Sequence, residues 1–351
     1  MTIRKARLKD IASLSGVSIG TVDRVLHDRG EVAEKTREKV LKITRELNYT
    51  PNLMAQVLKS KRPYNLVSLL PLSTEENTFW VKHPIGIDRA MSELEPFPVN
   101  LTKVNFDLLS EDDFVKETRR VLKLQPDGVL LAPIFQAQSI EFCSKLRKAN
   151  IPFVFVDGFV PETNFLAYIG ENVFQSGKVA GQLTEMITSW KKDILIVNLA
   201  KNLRNVHHLS NRTKGFLSYF SGNARKSGEK ISLNISDPAV ENILKEVDKA
   251  FEKHPNIGSV FVSGSKSYKI ADYFKARNIR SVNLIGYDLL ERNVAHLKSG
   301  TISFLIGQRP EEQTYKGVRK LFDFLSSNKI PDKMEYLPID VVTSENVDFF
   351  L

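Results

Sequence analysis

Apolar positions recur along this 351-residue chain with two different periods. Over the first fifty residues the spacing is three or four. RLKDIASLS places Leu8, Ile11, Ala12 and Ser15 on one helical face, and Gly16 predicts its end, because glycine takes a left-handed backbone at no steric cost. Ser18 then predicts an N-cap for a second helix whose apolar side is Val22, Val25 and Leu26. HDRGEV reads as a polar turn. In EKTREKVLKITRELNY, Val40, Ile43 and Leu47 recur at i, i+3 and i+7, and Pro51 predicts the stop. NLMAQVLKSKRP is a short helix-capable piece that ends at Pro63.

From Asn65 onward the pattern changes. Continuous apolar runs alternate with amphipathic stretches: LVSLL (66–70), VNLTKVNF (99–106), GVLLA (128–132), FVFVD (153–157), ILIVNL (194–199), KISLNI (230–235), SVFVS (259–263), VNLIGYD (282–288) and SFLIG (303–307). IDRAMSEL, EDDFVKETRRVLKL, SIEFCSKLRKA and NILKEVDKAFEKH are helical in period, and Ser110 with Asp113 predicts a capping box before the second of them. Unbroken apolar strands separated by helices predict parallel sheets covered on both faces. So many units exceed one small sheet, which predicts two lobes. The fold class expected is an all-α head followed by a two-lobed α/β body.

Composition narrows the function classes. Hydrophobic residues at 42% and charged residues at 26% are those of an ordinary globular chain. No run of about eighteen apolar residues predicts a membrane span, and MTIRKARLKD lacks the apolar stretch of a secretory signal. A cytoplasmic protein is expected. The single cysteine, Cys143, excludes an internal disulfide and a cysteine-based zinc site, and reads as a buried small hydrophobe. Charge is unevenly placed: residues 1–64 carry fourteen Lys/Arg against seven Asp/Glu, the remainder 36 against 34. A basic head on a nearly neutral body predicts a polyanionic partner for the head alone.

Leu8 to Leu26 reads as two helices joined by a tight turn at Gly16, with Ala12 small enough for close crossing. In a helix-turn-helix the second helix enters a major groove with its N-terminal residues on base edges, so a slim first turn such as SIGT suits the groove floor. A helical bundle that binds nothing would use the same spacing. The longer run from IASLSGVSIGTVDRVLH through EKTREKV, LNYTPN and AQVLKSKRP resembles the head of the lactose-repressor (LacI/GalR) family of bacterial regulators. The matching features are A…GVS…TV.RVL, V…TREKV, L.Y.PN and A..L, all in order. By position, the resemblance implies that Ser18, Ile19, Gly20, Thr21 and Arg24 face DNA. Ile19 and Gly20 fall where the family places its specificity pair, and neither makes a bidentate hydrogen bond, so Ile19 would meet a thymine methyl and Arg24 a guanine. Asp23 departs from the family's usual serine; it either contacts DNA or forms a salt bridge within the head. NLMAQVLKSKRP matches the family's hinge helix. There Leu58 would enter a central minor-groove step or pack on the partner hinge, and Lys59, Lys61 and Arg62 would meet phosphates. Double-stranded, near-palindromic operator DNA bound by a homodimer is the implied design.

The body resembles periplasmic sugar-binding proteins through DGVLLAP, IPFVFVDG, YIGENVFQSGKVAG, NRTKGF and LIGYD. The implied division is a DNA-binding head at 1–50, a hinge at 51–63 and a ligand-binding body at 64–351. Within the body, lobe 1 is expected at about 64–168 plus 308–330, and lobe 2 at about 169–307 plus 331–351. Ligands in such sheets lie beyond the carboxyl ends of the strands. That rule singles out Asp157 and Asp288, which would accept sugar hydroxyl protons; a helix-capping role for Asp157 is the alternative. Arg212 matches the family's ligand-binding arginine, Gln308 falls where the chain crosses between lobes, and Trp80 would stack on a sugar face or belong to the core. Gly158, Ser263 and Ser265 replace an arginine and an Asn-Asp pair common in relatives, so no relative's effector carries over. A sugar or sugar derivative is what the resemblance implies. No cofactor or metal is expected, and catalysis is not: GxGxxG after a strand, GxxxxGK[ST] and GxSxG are all missing, and His207 and His208 are adjacent. A solute-binding protein without specific operator binding is the rival reading.

Overall fold

The structure, a computed structural model, describes residues 6–26, 30–47, 49, 62–74, 78–199, 207–221, 228–236 and 239–351. It opens with three helices, α1 (Leu8–Ser15), α2 (Ile19–Leu26) and α3 (Glu34–Glu46). Their apolar stripes meet in a core of Ile11, Ala12, Val22, Val25 and Val40, with Val17, Leu26, Ile43 and Leu47 around it. Gly16 ends α1 at φ 71°, its N–H donating to Ala12 O over 2.9 Å. A side chain there would be strained by the left-handed backbone, which is why the turn takes glycine. α3 ends at Glu46, ahead of the expected stop. Pro51 and most of the expected hinge lie outside the described residues, Arg62 and Pro63 excepted.

Two six-stranded sheets make the body. The first orders β11 (Met334–Tyr336), β5 (Ala167–Gly170), β4 (Phe153–Val156), β3 (Gly128–Leu131), β1 (Tyr64–Pro71) and β2 (Val99–Phe106). The second orders β12 (Asp340–Val342), β10 (Phe304–Gly307), β9 (Asn283–Tyr287), β8 (Ile257–Val262), β6 (Asp193–Leu199) and β7 (Lys230–Ile235). Every pairing is parallel except that of β10 with β12. Residues of β3, β4, β5 and β8 are buried throughout, as helix-covered parallel strands require. All nine predicted strands are present, with ends shifted by up to two residues, and β5, β11 and β12 are additional.

Two of those strands, β5 and β11, depart from the expected lobe boundaries, whereas β12 lies in the second sheet as expected. β11 pairs with β5, which places 334–336 in the first sheet, whereas 331–351 was assigned to the second lobe. β5 likewise carries the first sheet to Gly170, past the expected limit at 168. The chain therefore passes between sheets three times: after β5, after β10 and between β11 and β12. The Ser110 capping box is half made. Ser110 Oγ accepts from Asp113 N–H, but the Asp113 carboxylate accepts from Asp107 N–H at 2.9 Å, clamping the turn before the helix instead.

Two glycines set the spacing that places Arg212. The helices Val173–Ile187 and His207–Ser221 approach so closely that a Cβ on Gly177 would come within 2.1 Å of Arg212 O, and one on Gly215 within 2.0 Å of Phe174 O. Cys143 is buried and free, and burial pushes its thiol up to about 12. Among the described residues no helix is long and apolar enough to cross a membrane, and no group of metal-ligating side chains gathers.

Candidate functional site

The head presents the first turn of α2 outward. Ser18, Ile19, Gly20 and Arg24 are exposed, Ile19 at 51%, while Val22 and Val25 on the opposite face are buried. An apolar residue left half in water at a helix start, with its neighbours packed, is a surface that has not been used for folding. Ser18 Oγ accepts from Thr21 N–H at 3.1 Å and meets Thr21 Oγ1 at 3.0 Å, so both hydroxyls are ordered and Thr21 is half-buried. Leu58, Lys59, Lys61 and His27 lie outside the described residues. Arg62, expected on phosphates, instead forms a two-pronged ion pair with Asp127 of the body at 2.6 and 2.9 Å, and Asp127 also accepts from Asn65 N–H. The opposite charge of Asp127, directly before β3 and beside the start of β1, holds it.

In the body, the structure brings four of the five predicted effector residues into one connected group. Asp157 directly follows β4 and Asp288 directly follows β9, the matching strands of the two sheets. Both have left-handed backbones, φ 66° and 72°, a conformation uncommon for residues other than glycine and tolerated best by Asp and Asn. Each turn is pinned. Asp157 N–H donates to Gln313 Oε1 (2.7 Å), Gln313 Nε2 donates to Gln308 O (2.9 Å), and Gln308 Nε2 donates to Asp288 Oδ1 (2.7 Å). Asn293 Nδ2 donates to the carbonyls of Tyr287, Asp288 and Ser265. A chain of hydrogen bonds thus runs from the first sheet through the crossover to the second.

Arg212 stands at the other side of this group, 2% exposed. Its Nε donates to Glu171 Oε1 at 2.7 Å, Nη2 bonds the same oxygen, Nη1 donates to Ser263 O at 3.0 Å, and the guanidinium lies 3.8 Å over the Tyr287 ring. Burial works against the arginine's charge, but Glu171, Tyr287 and Asp288 beside it outweigh that and raise its affinity for the proton. Burial pushes both Asp157 and Asp288 up to about 7, with Arg212 opposing the shift. Glu171, Gln313 and Phe79 are the participants that sequence reasoning missed. Glu171 carried a readable signal: a charged residue directly after the apolar run AYIG.

A cavity of about 750 Å³ opens beside Asp288 and Gln308, walled by Phe79 and Lys82 on one side and by Leu289 and Leu290 on the other. Asp157 and Arg212 do not line it; they stand behind Asp288 in the network. Trp80 is a correction. It is 3% exposed and stacked on His83 at 4.3 Å, and its neighbour Phe79 reaches the cavity instead. The turn Thr78–Val81 presents one aromatic outward and one inward, and the larger ring buries more apolar area. His83 is fully buried, and burial pushes it down to about 3, so it stays neutral.

Comparison with known proteins fits this geometry. Residues 70–329 match the periplasmic binding protein domain, and residues 7–52 match the bacterial regulatory proteins of the lacI family. The chain belongs to that family, as a lacI-type head joined to a periplasmic-binding-protein body. A solved structure assigned as a LacI transcriptional regulator from Bacteroides fragilis superposes with a TM-score of 0.77 at 30% identity, over 82% of this chain and 99% of that one. The sucrose operon repressor of Escherichia coli is 36% identical over 126 residues, 36% of this chain and 37% of that protein, so the match spans little more than a third of the repressor's length. The ribose operon repressor of Lactococcus lactis is 25% identical over 80% of each chain. A glucose-galactose binding protein from Geobacillus stearothermophilus shares the fold, with a TM-score of 0.71 at 20% identity over 82% of this chain and 99% of that one.

Proposed function

We propose that this protein is a ligand-responsive, sequence-specific DNA-binding transcriptional regulator, a repressor that grips a near-palindromic operator as a homodimer. A sugar-like effector in the interlobe cleft controls it. The observation that carries the reading is the exposed, hydroxyl-ordered face of Ser18, Ile19, Gly20, Thr21 and Arg24, held on a packed head in the same chain as a polar group that links two lobes. A protein that only bound solutes would have no use for that face. In this reading Ile19 meets a thymine methyl, Arg24 a guanine, and the hinge with Leu58 and Lys59 engages the minor groove and phosphates. Asp157, Arg212, Asp288 and Gln308 respond to the effector, and Phe79 takes the stacking role expected of Trp80. Effector binding alters how the two sheets close on each other, and that changes whether paired hinges fit the operator. The protein acts in the cytoplasm and performs no catalytic step.

Fluorescence anisotropy with DNA from the region upstream of its own coding sequence tests this. Binding is expected to be specific and to weaken steeply with salt. Arg24→Ala is expected to lose about 1–3 kcal/mol of discrimination between operator and scrambled DNA, with thermal stabilisation of the body by its effector unchanged. Equal binding to both DNAs by the unaltered protein would defeat the proposal.

A further inference from the structure

The charges around the cleft determine what kind of molecule it accepts. Among the described residues, every cation that lines this cavity already has a carboxylate. Lys82 pairs with Glu311 at 3.8 Å, Arg89 with Glu312 at 2.5 Å, and Arg309 with Asp340 through two bonds at 2.6 and 2.7 Å. Arg212, which stands behind the cavity, is held by Glu171 and the Ser263 carbonyl. Among the described residues Asp157, Asp288 and Glu291 form no ion pair, and Asp288 and Glu291 both line the cavity. Acceptors are in excess as well. Glu171 Oε2 is buried and accepts from no donor among the described residues, and Asp288 Oδ1 takes only the Gln308 amide. At the cavity itself, the Asp288 and Glu291 carboxylates can accept further hydrogen bonds, which favours a ligand that brings O–H groups.

We propose that the cleft selects an uncharged polyhydroxylated molecule, its hydroxyls donating toward Asp288 and Glu291, and rejects the phosphorylated and carboxylated forms of the same molecule. This rests on the effector reading above and deepens it. Among the described residues an anion entering here would find no uncommitted cation. Drawing Lys82 or Arg309 to itself would strip Glu311 or Asp340 of its partner, so one unpaired carboxylate would replace another. Desolvating an anion without a new counter-charge is unfavourable. A hydroxyl loses only its bonds to water and regains them at a carboxylate, where the bond is charge-assisted and stronger. Phe79 supplies the apolar wall for the C–H face of such a molecule.

The test uses the full chain and matched pairs: D-ribose with ribose 5-phosphate, D-glucose with glucose 6-phosphate and glucuronate, D-fructose with fructose 6-phosphate, and D-glucitol with gluconate. Thermal unfolding finds binders and calorimetric titration ranks them. At least one uncharged member is expected to bind, at least tenfold tighter than its anionic partner. An anionic member that binds tighter than its uncharged partner overturns the proposal, and so does a panel in which no uncharged member binds. Glu171→Gln, which releases the Arg212 charge, is expected to narrow the ratio at least tenfold. Asp288→Asn, which leaves the Arg212–Glu171 pair intact, should narrow it in the same direction should the first variant fail to fold. An unchanged ratio in the folded variants would remove these carboxylates from the role. Operator anisotropy on the same samples separates the two readings. Anion preference with specific operator binding intact sinks this inference alone, and loss of operator specificity with uncharged preference intact sinks the regulator reading alone.

Discussion

The head and the cleft treat their polar groups in opposite ways. In the head, a handful of buried side chains, Ile11, Ala12, Val22, Val25 and Val40, hold a short scaffold, and the groups that would do the work, from Ser18 to Arg24, stand in water. A core of that size contributes about 3–5 kcal/mol, and nothing in the reading face draws on it. In the body the working groups are inside. Arg212, Glu171, Asp288 and Gln308 are each no more than 5% exposed, Asp288 on a left-handed backbone. The head is therefore a surface carried by a fold, whereas the cleft is a set of costly groups that the fold must hold together.

The largest expected effect follows from that contrast. Arg212→Ala would leave Glu171 buried with its cation gone and Tyr287 without the guanidinium over its ring. Breaking a buried pair from one side costs about 3–5 kcal/mol. Both tryptophans, Trp80 and Trp190, are in the body, so tryptophan fluorescence during urea unfolding follows the body alone. The unfolding free energy should fall by that amount, moving the midpoint to lower urea, while the helical signal of the head is unchanged. A loss below about 1 kcal/mol would mean that the cleft tolerates an isolated carboxylate and that the contrast is overstated.

A smaller effect concerns pH. Asp157 and Asp288 are pushed up to about 7 by burial from an ordinary 3.8, so between those values the folded body binds protons that the unfolded chain has released. Stability is then highest near pH 4 and falls as pH rises through 7, with no further loss from these groups above it. Asp288→Asn should flatten part of that slope in the tryptophan-monitored transition. Hydroxyl donors favour the ionised carboxylates, so an uncharged polyol should bind more tightly as pH rises from 6 to 8. A slope that Asp288→Asn leaves untouched would assign the proton uptake elsewhere.

The same contrast explains what could be read from sequence. The head was legible because its signals are local: Leu8, Ile11, Ala12 and Ser15 share one helix face, Gly16 ends that helix, and Ser18 caps the next. Nine of the strands were legible for the same reason, being continuous apolar runs. β5, β11 and β12 are three or four residues each, and in β11 the run MEY has no buried face, so only its pairing partner identifies it. The cleft is harder because it is assembled across the chain. Asp157 and Asp288 were reachable through the rule that ligands meet strand ends, but Gln313, which holds Asp157 in place, is 156 residues away inside a helix. Whether Phe79 or Trp80 faces the cavity depends on the rotation of a single turn, which no period encodes.

The smallest effect tests the head's side of the contrast. The Ser18 side chain supports α2 by accepting the Thr21 N–H and meeting the Thr21 hydroxyl, while its carbonyl accepts from Thr21 and Val22 N–H whatever the side chain. Ser18→Ala removes that cap, which costs about 1 kcal/mol. Against a core contributing about 3–5 kcal/mol, this raises the unfolded fraction of the head roughly fivefold while leaving it mostly folded. Circular dichroism of the helical signal should show the head melting earlier, and tryptophan fluorescence should show the body melting as before. Ser18→Asn, which also caps, separates the two uses of this position. Its stability should lie within a few tenths of a kcal/mol of the original, so any operator affinity it loses belongs to the lost serine contact rather than to a loosened helix. Should Ser18→Ala shift the tryptophan transition equally, the two regions unfold as one, and the independence that separates a carried surface from a held cleft would not exist.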